Sequence, residues 1–300
     1  MKRRTQIWII ALLLLQASCG LKRGAVSLVG GIAWDGQAVL EREADVDLAR
    51  QTTPSLIATL SAIAYSKPGD RTFSALLAKA YGQYAYGFYE EDLLRFPPKG
   101  DDYVASFARA DHFYRQGMTY GMEGLRHRHV FRQSETAPQP DFEKALRSFR
   151  AKDAPLLFWT AFCWGGLINL HRDDPLLIAQ MPRVIALVDR VMELTPDAFE
   201  GSVHNFRAVL DASRPTMLGG NPARAKAEFD KAIAIEPRYH MTKVLYAQYY
   251  AVQMQDRHLF EKLLQEVQSA DATTFAEQRL ANELAKRRAT FLFAKEQQWF

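Results

Sequence analysis

Apolar positions recur at three- and four-residue offsets along most of this chain. Phe73, Leu76, Leu77, Ala80, Tyr81 and Tyr84 form one stripe, and Val184, Leu187, Val188, Val191 and Leu194 a second. Leu280, Leu284 and Phe291 continue the pattern near the end. That spacing puts side chains on one face of an α-helix, whereas a half-buried strand would alternate with period two. Alternating runs joined by hairpin turns are absent from the sequence. Thr53-Pro54, Asp174-Pro175 and Asn221-Pro222 each place a capping residue before proline, the signature of a helix start. The pattern predicts an all-α chain.

A helical chain of this length invites a search for repeats. In "ARAKAEFDKAIAIEP", Ala225, Phe229, Ala232 and Pro237 fall at offsets 0, 4, 7 and 12, those of the second helix of a tetratricopeptide repeat. Small residues at 225 and 232 let a partner helix approach, Phe229 fills the gap between repeats, and Pro237 stops the helix. Val184, Val188, Val191 and Pro196 share those offsets with larger side chains, and Ala110, Tyr114 and Gly117 match the first three. The 213–222 stretch, "SRPTMLGGNP", reads as a loop inserted between two helices of one repeat. The expected fold is an α-solenoid-like array with divergent tetratricopeptide-like helix pairs. It forms one domain over 51–300, with a joint near 136–140, "TAPQP".

The N-terminus sets the compartment. Lys2, Arg3 and Arg4 precede an apolar run from Ile7 to Leu15, followed by Ala17, Ser18 and Cys19. The run is too short for a membrane-crossing helix, which needs about 20 apolar residues, and fits a cleaved export signal. Cysteine directly after small residues predicts a bacterial lipoprotein signal over 1–18, with Cys19 as the acylated anchor. Such signals usually carry leucine three places before the cysteine. Here Gln16 stands there, and an ordinary signal with an incidental cysteine is the alternative. Gly20 after the cysteine points to a periplasmic lipoprotein of the outer membrane of a Gram-negative bacterium. Residues 19–50 read as a tether. Cys163 then has no partner for a disulfide and, in "FWTAFCWGG", reads as a buried, inert thiol.

Charge changes the picture little. Lys2, Arg3 and Arg4 account for three of the 38 basic residues, so 35 remain against 34 acidic ones after the signal. Nothing resembles a nucleic-acid footprint. The sequence carries no nucleophile elbow, phosphate loop, dinucleotide fingerprint or zinc-protease motif. No metal or cofactor is expected, and no enzyme activity. The aromatic stretches "YGQYAYGFYEE" and "FWTAFCWGGLINL" suggest a core, with a ligand cleft as the sharper alternative. Gly165 and Gly166, each costing about 1 kcal/mol relative to Ala inside a helix, call for a close helix contact or a cavity wall. The candidate cleft residues are Trp159, Trp164, Asn169, His204, Asn205, Tyr246, Tyr250 and Asn282. Aromatic faces with a few polar groups are the usual lining of small-molecule pockets.

Several segments follow one another in the order of a known family. Trp164-Gly165, Asp174-Pro175 with Pro182, Gly219-Gly220 before the repeat helix, and the Asn282–Ala289 segment carry the similarity, which runs from Asp45 to Phe300. The chain resembles the T component of tetratricopeptide-repeat-associated TRAP transporters. The resemblance implies a periplasmic lipoprotein that binds a TRAP solute-binding protein. It also implies a small, partly apolar ligand held in, or passed through, the helical body, and leaves homo-oligomerisation open. A general envelope scaffold for outer-membrane or cell-wall assembly and an unrecognised envelope hydrolase are the competing readings.

Overall fold

The computed structural model describes residues 30–214 and 216–300. The signal segment and Cys19 lie outside the described residues. The chain divides into two units, Met1–Val39 and Leu40–Phe300, and the second is the helical body. Its helices are α1 Val46–Tyr65, α2 Arg71–Tyr84, α3 Glu90–Arg95, α4 Asp101–Leu125, α5 His129–Ser134, α6 Gln139–Leu146, α7 Ala154–Leu170 and α8 Pro175–Ile178. They continue as α9 Met181–Leu194, α10 Ser202–Ala212, α11 Pro222–Ile235, α12 Met241–Leu245, α13 Arg257–Ser269, α14 Arg279–Phe293 and α15 Glu296–Trp299. Among the described residues there is no strand. The chain is all-α, as the periodicity predicts.

The start of the body differs from the sequence reading. Residues 30–41 and the stretch from 46 onward are helical, so most of the described part of the expected tether is ordered helix. Asp45 caps α1 by accepting from the backbone N–H groups of Asp47 and Leu48. Pro54, expected to open a helix, lies inside α1. A proline there leaves the carbonyl four residues earlier, that of Arg50, without its helical donor. The Tyr84 hydroxyl from α2 donates to that carbonyl at 2.9 Å. Tertiary packing thus compensates a break that local sequence alone would impose. The other two expected starts are present: Asp174 accepts from Leu176 and Leu177, and Asn221 from Arg224.

The core forms where α2, α4, α7 and α9 pack side by side. Close approach is built from small residues. A side chain at Gly117 would sit 2.5 Å from Cys163 Sγ, and one at Gly121 would collide with Thr160. Cys163 lies in that three-helix junction with its thiol donating to the Ala78 carbonyl at 3.2 Å. Burial drives the thiol far above its ordinary range. It is an inert core residue, as read from its neighbours. Gly165 and Gly166 have the same cause, since their missing side chains make room for the Phe206 and Tyr114 rings.

The repeat offsets mark the buried stripe of each helix. Ala225, Phe229 and Ala232 on α11 are fully covered, as are Val184, Val188 and Val191 on α9. Helices α10 and α11 form a closely packed pair joined by the 213–221 loop. The 136–140 stretch runs from the turn after α5 into the first residues of α6, and Phe131 and Phe142 on either side pack ring to ring in the same core. At the far end, α14 returns to pack on α1 and α3, so the last long helix closes against the first ones.

Candidate functional site

Charged side chains meet at that closure. Glu90, Glu91 and Asp92 open α3, and all three are buried. Each faces an arginine from another helix. Asp92 takes both terminal nitrogens of Arg50 on α1, at 3.1 and 2.5 Å. Glu91 pairs with Arg287 on α14 at 2.9 Å, and that arginine also reaches Asp47 at 3.2 Å. Glu90 faces Arg288, with Nη2 3.7 Å from Oε2, and accepts from the Tyr114 hydroxyl at 2.5 Å. Burial pushes the carboxyls of Glu90 and Glu91 above their usual range, against the pull of these arginines.

Two π-helical turns converge on this point. The first, Ala85–Tyr89, links α2 to α3, and the second, Tyr246–Ala251, follows α12. Such turns insert one residue into a helix and are frequent at functional sites. The first aims Tyr86 inward, where the Arg288 guanidinium lies 4.4 Å from its ring centroid. The second supplies Gln248, whose Oε1 accepts from Arg288 Nε at 3.2 Å, and Tyr249. Asn169 near the end of α7 donates to the Tyr249 hydroxyl at 3.5 Å and accepts from Arg172 at 2.5 Å.

Tyr86, Tyr239 and Tyr249 share an unusual combination. Burial lifts the phenol of each above its ordinary value, most strongly for Tyr86 and Tyr239. Yet each keeps part of its surface accessible. We take these partly accessible rings as the wall of a narrow crevice. Its apolar lining continues through Phe162, 5.9 Å from the Tyr86 ring, to Phe206, 6.2 Å further on, both also partly accessible. Met241 closes it from α12, its sulfur accepting from the Tyr86 hydroxyl at 3.7 Å. The crevice is apolar and aromatic along its sides, with Glu90, Arg288 and Asn169 at one end.

Of the eight residues expected at a cleft, Asn169 is the one bonded to this group, through Tyr249. Trp159 and Trp164 are core residues: Trp159 packs on Phe158 and Phe162, and Trp164 Nε1 donates to Gln180 at 2.8 Å. Asn282 is fully buried and clips the start of α12, accepting from the His240 N–H and donating to the Arg238 carbonyl. His204 is taken by Glu228 at 2.5 Å, and Asn205 donates to Thr242 at 2.8 Å. Tyr246 stacks on Phe229 at 4.7 Å and meets Tyr250 edge-on. Their polar partners are protein groups, which is how buried polar atoms are usually satisfied. One atom departs from this: Asn205 Oδ1 is buried with no donor.

Sequence reasoning missed Tyr86, Glu90, Tyr114, Tyr249 and Arg288. Three adjacent acids after a tyrosine-rich run, Glu90 to Asp92, are the signal that could have found the first two. Among the described residues no group of three or more His, Cys, Asp or Glu could hold a metal. Nor is any helix among them long and apolar enough to cross a membrane.

A family model described as TRAP transporter T-component matches residues 42–300. The chain belongs to that family. A protein of Treponema pallidum (strain Nichols), described as "Uncharacterized protein", is 24% identical over 310 residues, covering 96% of this chain and 94% of the other. The match spans the whole helical body of this T component, including both π turns and the acidic triplet. Its role is therefore tied to TRAP-type transport.

Proposed function

We propose that this T component is a periplasmic lipoprotein, anchored through Cys19, that docks a TRAP solute-binding protein and holds a small ligand in the crevice during uptake. The observation that carries the reading is the row of partly accessible aromatic side chains, Tyr86, Phe162 and Phe206, beside a few polar groups, which is how small-molecule sites are usually lined. Family membership supports the partner, and the short apolar run ending in Ala17, Ser18 and Cys19 supports the anchor. The side chains at the crevice supply no nucleophile with an adjacent base, so binding rather than turnover is the chemistry they favour.

Titration of the full chain with the TRAP solute-binding proteins of the same genome tests the partnership. One of them should form a saturable complex with Kd in about the micromolar range or tighter, corresponding to roughly 8 kcal/mol. No saturable binding to any of them would refute the docking role.

A further inference from the structure

His240 stands at the start of α12 and is 6% exposed, yet neither of its ring nitrogens has a hydrogen-bond partner among the described residues. Its backbone, by contrast, is held. Asn282 on α14 accepts from the His240 N–H at 3.0 Å and donates to the Arg238 carbonyl at 2.9 Å. Lys243, one turn along α12, and Lys286, one turn beyond Asn282 on α14, both act on the ring. Each lysine has its own acceptor: Lys243 Nζ lies 2.7 Å from Glu266 on α13, and Lys286 Nζ donates to the Ala270 carbonyl at 2.7 Å. The other charged groups on elements packed against α12 are taken up among themselves, Arg238 with Glu236, Arg279 with Glu283 and His204 with Glu228.

A neutral imidazole tolerates this setting better than an imidazolium. A proton on the ring would create a buried cation with no acceptor and two ammonium groups for neighbours. Burial first, and then the two lysines, hold the ring below the usual histidine range.

We infer that His240 makes the seam between α12 and α14 acid-sensitive: the neutral ring packs into the seam, and a protonated ring forces it open, freeing α12 and the π turn Tyr246–Ala251 that follows it. The turn carries Gln248, which accepts from Arg288, and Tyr249, which accepts from Asn169. Acidification would therefore reach the groups gathered around Arg288. The device needs neither a ligand nor a partner, so it stands or falls apart from the crevice and docking readings.

Linkage gives the direction. A histidine with lowered proton affinity in the folded chain binds fewer protons there than in the open one, once the pH reaches its ordinary value of about 6.5. Stability is lost as the pH falls from there toward the folded-state value. Burial raises the carboxyls of Glu90, Glu91 and Glu200, which therefore titrate in the opposite sense. The difference between the parent and a His240 variant isolates the share of the ring.

Amide hydrogen exchange of the full chain, corrected for the intrinsic effect of pH, reads the seam at about pH 7.5 and about pH 5, on either side of the ordinary histidine value. In the parent, opening of residues 241–251 should become about tenfold more favourable at the lower pH, the factor for one unit of depression. His240→Leu has no proton to gain and should abolish that step; His240→Gln supplies the same comparison if the leucine variant does not fold. Lys286→Gln, which removes one of the two cations, should keep the step and shrink it. The histidine NMR signal missing from the His240 variant should titrate below the ordinary value. No acid step in the parent, a step undiminished in the His240 variants or in Lys286→Gln, or a His240 signal that titrates at or above the ordinary value overturns the proposal.

Discussion

Arg288→Met should lower the stability of the body by about 3–5 kcal/mol, the range for removing one partner of a buried ion pair. The loss has two sources. Arg288 is the guanidinium stacked on Tyr86, and its removal leaves Glu90, 8% exposed, facing only a tyrosine hydroxyl and the more distant Arg172. Glu90 escapes part of that penalty by protonating. Burial raises its carboxyl in the folded chain and Arg288 pulls it back down, so without Arg288 the folded form takes up a proton more readily than the unfolded form as the pH falls. The deficit of the variant should therefore shrink as the pH is lowered from neutrality. Glu90→Gln combined with Arg288→Met should recover much of the stability, because no uncompensated charge remains. Denaturant unfolding of the three variants and the parent, at two pH values, reads all of this. Equal stability of Arg288→Met and the parent would mean that the clasp between α14 and α3 is not held by charge.

The second large effect falls on Trp164. Its ring is 6% exposed and belongs to the core cluster built by α4, α7 and α9. Trp164→Ala should cost about 3–5 kcal/mol through lost burial and the cavity left behind. It also frees the Gln180 side chain that accepts from the indole N–H. The folded fraction should bind the solute-binding protein as the parent does. A variant that melts like the parent and has lost binding would place Trp164 on a ligand surface instead of in the core.

Much of this architecture was legible in the sequence, because helix burial repeats locally. The 0, 4, 7 offsets around Ala225 and Val184 mark positions that are fully covered in the structure. Cys163 was legible as a buried thiol, and Gly165 and Gly166 as a close contact or a cavity wall, of which the structure shows the contact. The start of α1 was not. Pro54 reads as a helix opener unless one knows that Tyr84, 34 residues along the chain from Arg50, supplies the missing donor to its carbonyl. The site was legible only in part. Asn169 stood out as a polar residue in an apolar helix, and so did Asn282, but the first reaches the Tyr249 hydroxyl and the second clips a backbone turn. Both look alike in one dimension. Glu90 and Arg288 are nearly 200 residues apart, and each taken alone resembles an ordinary charged surface residue. Only the return of α14 to α3 makes them a pair. The two π turns left no local signal that distinguishes them from regular helix.

The account depends most on the crevice being open to small molecules, and thiol labelling measures that directly. In a Cys19→Ala background, Cys163 is the remaining native thiol, fully buried. Tyr249→Cys then places a second thiol on the crevice wall. The thiol at 249 should react readily with N-ethylmaleimide while Cys163 stays unmodified, and a polyethylene-glycol maleimide of several kilodaltons should fail to reach it in the folded chain. A thiol at 249 as inert as Cys163, or one that the bulky reagent labels as fast as the small one, would contradict the crevice.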